Sequence, residues 1–405
     1  MQSRAPFIIV MATLMIDAMG IGLIMPVMPD LIGEILGQGI SSAAVWGSLL
    51  SFTYAAMQFL FGPMIGGLSD RFGRRPVLMF SLIVLGIDYM IMAAAQVMWL
   101  LILARMMSGI AGATYSTATA YLADSSTREK RAANFGLVGA AFGIGFIIGP
   151  AIGGLLGELG SRAPFIAAGL LALGNAAFAY FALPETLTVE NRREFQLRRA
   201  NPLRALLRLK AVPAIGLLLV VDFLYVVATH VYPVIWSYFA KLQFGWSSGM
   251  VGASLATYGL TTAIVLGLVI RPILRRLGEV RTAYLGLVMC VVALVVVALI
   301  ENGAMVFVLM PVIALGAIAG PAMQGMMANE VSDNEQGELQ GVLASIAGIA
   351  AIISPLISAA AFRTFTKNDA VLFLPGAPFL VAAVLAVAAL ALFGRWRQGH
   401  PSAKT

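Results

Sequence analysis

Apolar runs of roughly 20 residues recur along this chain, separated by short polar stretches, and no other feature limits its fold as strongly. A helix of about that length crosses the hydrocarbon core of a bilayer, where the backbone must satisfy its own hydrogen bonds. Twelve such runs are legible, near 6–29, 43–67, 76–95, 98–123, 132–157, 163–184, 211–239, 248–273, 281–300, 303–329, 336–361 and 371–394. Composition agrees with this reading. Of the 405 residues, 60% are hydrophobic and only 11% charged, so a water-soluble globule would lack the polar surface to cover itself. The expectation is an all-α membrane protein with twelve transmembrane helices. The first run is expected to be retained as a span, because it contains Asp17 and continues through Pro26 and Pro29 without a small-residue cleavage pattern.

Charge then orients the chain. Assigning alternate loops to one side gathers 21 of the 26 Lys and Arg residues there, including Arg4, Arg71, Arg74, Arg75, Arg128, Arg192 to Lys210, Arg271, Arg281 and Arg397. The opposite side receives only Arg162, Lys241, Arg363 and Lys367, which places both termini in the cytoplasm by the positive-inside rule. The net charge of +7 is thus taken up by anionic lipid headgroups, and no nucleic acid partner is needed. The single Cys290 excludes an intrachain disulfide and reads as a small core hydrophobe.

Between the second and third runs lies Gly66-Gly67-Leu68-Ser69-Asp70-Arg71-Phe72-Gly73-Arg74-Arg75-Pro76, a charged hinge between two nearly uncharged stretches. Gly73 allows the chain to turn, Pro76 suits the first turn of the next helix, and the arginines hold the turn in the cytoplasm. This pattern resembles the signature loop of the major facilitator superfamily, which implies two six-helix halves facing a central cavity. The resemblance makes Gly66, Asp70, Arg71, Gly73 and Arg74 a cytoplasmic gate, in which Asp70 could meet the positive N-terminal end of a helix beginning near Glu335 to Gly337. The longest polar interval, 185–210, reads as a cytoplasmic linker between an N-terminal bundle (1–184) and a C-terminal one (211–405). An internal repeat supports the division: Gly149-Pro150 returns as Ser354-Pro355 at an offset of 205, and Phe72-Gly73 as Leu277-Gly278 at the same offset.

Chemistry is expected where charge is expensive. Of 19 acidic residues only Asp17, Asp88 and Asp222 lie deep in apolar runs, and Arg105 is the only base there. A charge at mid-bilayer costs about 2.5–3.5 kcal/mol on insertion scales, so each should face a cavity or a partner. A carboxylate in such surroundings can take up and release a proton, and these four residues are the expected proton-coupling set. Asp17 heads the run Asp17-Ala18-Met19-Gly20-Ile21-Gly22-Leu23-Ile24-Met25-Pro26-Val27-Met28-Pro29. With Tyr54, Gln58, Ile87-Asp88-Tyr89, Phe244-Gly245-Trp246 and Pro321-Ala322-Met323-Gln324-Gly325, it resembles the tetracycline/proton antiporters of Gram-negative bacteria. The likeness covers nearly the whole chain and is closest in its first half.

The fifth run carries Gly145, Gly149 and Gly153 at four-residue spacing, a smooth face for close packing, with Pro150 as a bend. This resembles the motif that marks proton-driven drug exporters, as Arg105 in Ala104-Arg105-Met106-Met107-Ser108-Gly109 resembles their coupling arginine. Tyr54, Gln58, His230 and Gln324 are the expected substrate-cavity residues. The chain also departs from the antiporters, with Thr262 where they carry a histidine and Cys290 where they carry an aspartate. Asp222 and His230, eight residues apart in the seventh run, could supply the missing titratable groups.

The expected function is proton-coupled export of an amphipathic small molecule by alternating access, from a monomer in a bacterial inner membrane. The alternative is a transporter of an endogenous metabolite with altered coupling. No zinc-ligand helix, nucleophile elbow or phosphate-binding loop points to an enzyme, and neither a cofactor nor a metal site is expected.

Overall fold

The computed structural model describes residues 5–112, 114–125, 128–188, 190, 192, 215–332 and 335–399, and among them every regular element is a helix. The expected 185–210 linker thus lies largely outside the described residues. In chain order the first half comprises α1 (Ala5–Ile24), α2 (Met28–Leu36), α3 (Ile40–Phe72), α4 (Arg74–Ala94), α5 (Met98–Ala111), α6 (Thr114–Ser125), α7 (Arg128–Gly157) and α8 (Ala163–Ala182). The second half comprises α9 (Gly216–Thr229), α10 (Val231–Phe244), α11 (Ser248–Ile264), α12 (Ile270–Leu299), α13 (Gly303–Leu315), α14 (Ala319–Asn329), α15 (Gln336–Thr366) and α16 (Ala377–Gly399).

Among the described residues, 11 helical runs are long and apolar enough to cross a membrane. One of them, Ser248–Leu299, is 52 residues long and covers both the eighth and ninth expected spans. It passes through a π-helical turn at Val265–Val269 and is broken at Gly278, where φ is 74° and ψ 172°. Three runs read as continuous in the sequence are interrupted. The first breaks at Met25–Val27, where Pro26 supplies no N–H, and restarts with Pro29 in the first turn of α2. The fourth breaks at Gly112, and the seventh at His230, three residues before Pro233. Proline there would clash with the carbonyl of Thr229 in an unbroken helix.

The residues form two compact units, Met1–Gln38 with Thr53–Asn201 and Trp246–Ala256, and Gly39–Phe52 with Pro202–Gly245 and Thr257–Thr405. In the first, α1 packs on α7 and α8, and α4 packs on α8 and α5. In the second, α9 packs on α15 and α16, and α12 packs on α16 and α13. The same pattern therefore occurs in both units. The 205-residue offset reappears in the backbone: Gly73 (φ 108°) and Gly278 (φ 74°) both adopt the positive φ that favours glycine, and Pro150 and Pro355 both lie inside helices. Asp17 and Asp222 share that offset as well.

The tightest helix contact of the first unit is written in glycine. Gly145, Gly149 and Gly153 of α7 face the carbonyl oxygens of Met15, Met19 and Leu23 on α1, so both helices repeat every four residues along the seam. A methyl group at Gly149 would stand 2.5 Å from the Met19 oxygen, and one at Gly22 would stand 2.6 Å from Pro150 Cδ. On the outer side of α4, Phe80, Ile83 and Ile87 are exposed while Leu78, Leu82 and Tyr89 are buried. A helix apolar on both faces is made for lipid on one and protein on the other.

Gly149→Val should therefore destabilise the purified protein by about 1–3 kcal/mol through overpacking, whereas Gly139→Val, which meets nothing within 4 Å, should be close to neutral. Thermal melting in detergent compares them. Equal melting temperatures would refute the seam.

Candidate functional site

The charged hinge is built around Gly73. Its φ of 108° and ψ of 158° turn the chain out of α3 and directly into α4. Glu185, just past α8, fills the space a side chain at Gly73 would need. Its carboxylate accepts the backbone N–H groups of Arg74 at 2.9 Å and Arg75 at 3.1 Å, and those of Thr186 and Leu187 at 3.0 Å each. The first orphan donors of α4 thus meet an anion at the positive end of the helix. At the other end, Arg162 Nη1 donates to the carbonyls of Ala93 at 2.6 Å and Ala95 at 2.8 Å. A cation there complements the negative end, so α4 is clamped by opposite charges at its two termini.

The hinge residues themselves form a compact network. Arg74 reaches Asp70 Oδ1 at 2.6 Å, Asp124 Oδ2 at 3.0 Å and Ser69 Oγ at 2.8 Å. Arg75 donates to the carbonyl of Tyr180 and lies over its ring, and Arg71 lies 5.2 Å from the centroid of Phe72. Gly66 has open space on its Cβ side.

Deeper in the same unit, α4 presents Asp88, fully buried, to Arg105 on α5, which is 9% exposed. The two form an ion pair through Arg105 Nη2 and Asp88 Oδ2. The same Nη2 meets Met92 Sδ at 3.0 Å, and the guanidinium lies 5.7 Å from the Tyr54 centroid and 6.0 Å from that of Tyr89. Two aromatic faces and a carboxylate thus compensate a cation removed from water. Tyr54 and Tyr89 also feel the charge of Asp17, which joins the cluster from α1. Asp17 is 7% exposed, and its Oδ1 meets no hydrogen-bond donor among the described residues. Gly20, one turn on, brings α1 against Tyr89. Gln58 Nε2 donates to the Gly112 carbonyl at 2.8 Å and lies 3.3 Å from Tyr54 Oη, so a side chain of α3 serves the backbone where the fourth run breaks.

The sequence-expected residues of the first half therefore converge: Asp17, Tyr54, Gln58, Asp88 and Arg105 are neighbours. In the second unit, Asp222 is 3% exposed on α9. His230 Nδ1 lies 2.9 Å from the Val226 carbonyl, so the imidazole serves its own helix end. Gln324 is exposed on α14, Thr262 is half-buried on α11 and Cys290 is buried on α12. Sequence reasoning missed Glu185 and the partner of Gln58. Glu185 lies 111 residues beyond the Arg74 amide that it accepts, and no local spacing rule reaches that far. Among the described residues no group of three or more His, Cys, Asp or Glu could hold a metal ion.

Removing one member of the buried pair should cost more than removing both. Arg105→Gln leaves the Asp88 carboxylate without its counter-charge and should destabilise the protein by about 3–5 kcal/mol. The double variant Asp88→Asn with Arg105→Gln should recover most of that loss in thermal melting. A double variant as unstable as the single one would contradict the assignment.

The chain matches the Major Facilitator Superfamily over residues 10–316 and again over 223–405. It is 40% identical over 362 residues to the tetracycline resistance protein, class C, of Escherichia coli, covering 89% of this chain and 91% of that relative. It is 41% identical over 358 residues to the class G protein of Vibrio anguillarum, covering 87% of this chain and 89% of that relative. Among solved structures, a bacterial homolog of the human lysosomal transporter Spinster, inward-facing and unoccupied, superposes with a TM-score of 0.79 at 16% identity over 98% of each chain. That last likeness is one of fold.

Proposed function

The chain belongs to the major facilitator superfamily, a multi-pass membrane transporter rather than an enzyme, and on that premise we propose that it exports an amphipathic small molecule or drug in exchange for protons. The observation that carries the reading is Asp17, a buried carboxylate oxygen without a donor among the described residues, beside the compensated Asp88–Arg105 pair. An acid in that position has two stable ways to exist: protonated, or ionised against a cation or water that arrives. Uptake of a proton at Asp17 changes the charge beside Tyr54, Tyr89 and Arg105, which couples the protonation state to the polar wall of the cluster. Asp88 and Arg105 hold the site's charge balance, and Asp222 acts as the proton or cation site of the second half. Tyr54, Gln58, His230 and Gln324 line the substrate path.

In this proposal transport runs by alternating access, with Gly66, Asp70, Arg71, Gly73 and Arg74 as the cytoplasmic gate. The α7 seam of Gly145, Gly149, Pro150 and Gly153 holds α1, and with it Asp17, at close range through the cycle. The protein acts as a monomer in a bacterial inner membrane with both termini in the cytoplasm. The names of its relatives point to tetracycline as the first compound to test. Thr262 and Cys290, the two departures from the antiporter pattern, support a second reading, export or uptake of an endogenous metabolite with altered coupling.

Substrate-induced proton release from purified protein, measured across a compound panel that includes tetracycline and candidate metabolites, separates the two readings. In everted vesicles Asp17→Asn should insert normally and lose pH-gradient-driven transport. Full gradient-driven activity in that variant would sink the assignment of Asp17.

A further inference from the structure

Four side chains in the core of the first unit hold polar atoms that the exporter reading does not use. Thr13 Oγ1 on α1, Ser81 Oγ on α4, Thr117 Oγ1 on α6 and Asn175 Oδ1 on α8 are buried, each without a hydrogen-bond partner among the described residues. The four residues are between 0% and 2% exposed. The residue that follows each of them, Leu14, Leu82, Ala118 or Ala176, belongs to a single apolar cluster. α1 packs on α6 and α8, and so does α4. A polar atom left unsatisfied in such a core carries the full cost of its desolvation, and most buried polar groups have a partner.

Three contacts bring the four to one level. Asn175 Nδ2 donates to the Thr13 carbonyl at 3.2 Å. Gly20 of α1 faces Tyr89 of α4, and Thr13 and Ser81 each lie about two turns back from that contact along their helices. Arg74 of α4 pairs with Asp124 of α6 at 3.0 Å, and Ser81 and Thr117 each lie about 10 Å from that pair by helical rise. The listed hydroxyls and the Asn175 oxygen do not bond to one another, so they surround a common level without closing it. That is the setting of a buried water, which takes roughly 2–4 polar partners. One turn on from Thr13 along the same face of α1 stands Asp17, whose Oδ1 also lacks a donor among the described residues.

We propose that Thr13, Ser81, Thr117 and Asn175 hold a small cluster of ordered water inside the first unit, and that this water takes up the proton Asp17 releases toward the hinge end. Each hydroxyl both donates and accepts, and the Asn175 oxygen accepts, so every water has a partner in either direction. In the transfer the Asp17 O–H bond breaks as its proton joins the nearest water, which gives one of its own protons to the next. The carboxyl is left as a carboxylate, and one O–H bond forms for each that breaks. The charged and titratable groups gathered around Asp17 are Tyr54, Tyr89, Asp88 and Arg105, and all of them lie outside the layer. The proposal rests on the reading of Asp17 as a proton site and names where its proton goes.

The water is tested by X-ray hydroxyl-radical labelling of the detergent-purified full chain in heavy-oxygen water. Tyr121, fully buried and one turn after Thr117, is the reporter. It should be labelled in the wild type, and Thr13→Val with Asn175→Leu should cut that labelling by about threefold or more. Thr13→Val alone should lower the melting temperature by about 2 °C, because it takes a partner from a satisfied network, and Thr13→Ser should recover it. An unlabelled Tyr121 would overturn the water site, and so would a Thr13→Val protein that melts higher than the wild type. The proton step is read from the infrared carboxyl band of Asp17 after a pH jump, the band being assigned by its loss in Asp17→Asn. Thr13→Val should slow its relaxation by about fivefold or more with the amplitude kept. A wild-type rate would overturn the transfer. A band that ignores pH in the wild type would overturn the Asp17 reading and the transfer with it, while the labelling still decides the water site.

Discussion

Hydrocarbon offers a polypeptide no hydrogen bonds, and at two of the helix breaks among the described residues a nearby group takes over the freed backbone. The fourth run parts at Gly112, where Gln58 donates to the carbonyl. The seventh parts at His230, whose own imidazole meets the Val226 carbonyl. The end of α4 is met by Arg162 and its beginning by Glu185. The same constraint governs side chains. Arg105 is tolerated because Asp88, Met92 and two tyrosine rings replace its water, whereas among the described residues Asp17 and Asp222 lack such company.

Close approach is the second requirement, and glycine supplies it. Three glycines a turn apart let the α7 backbone come down on the carbonyls of α1, fixing the height of Asp17 against Tyr89 and the Asp88–Arg105 pair. Packing and chemistry are therefore not separate layers here. A side chain large enough to part α1 from α7 would also move the unpaired carboxylate.

Much of this was legible because membrane chains are restrictive. Apolar length gave the helices, four-residue glycine spacing in α7 gave the seam, and the scarcity of charge singled out Asp17, Asp88, Arg105 and Asp222. The repeat at offset 205 was visible in Gly73 and Gly278 and in Pro150 and Pro355, and both pairs carry matching backbone features. Less legible were features that depend on distant segments. Nothing local announces that Glu185 caps α4, that Gln58 serves Gly112, or that the eighth apolar segment contains a π turn and meets the ninth across a kink at Gly278. Nor does anything local announce that the His230 imidazole meets the backbone carbonyl one turn before it.

The clamp on α4 has a mechanical consequence. A rod gripped at both ends by charge cannot spin about its axis or slide along it without tearing a grip open, and Asp88 rides at its middle. α5, by contrast, ends at Gly112, whose carbonyl accepts the Gln58 side-chain amide. Drawing the buried ion pair apart would therefore work against both grips on α4.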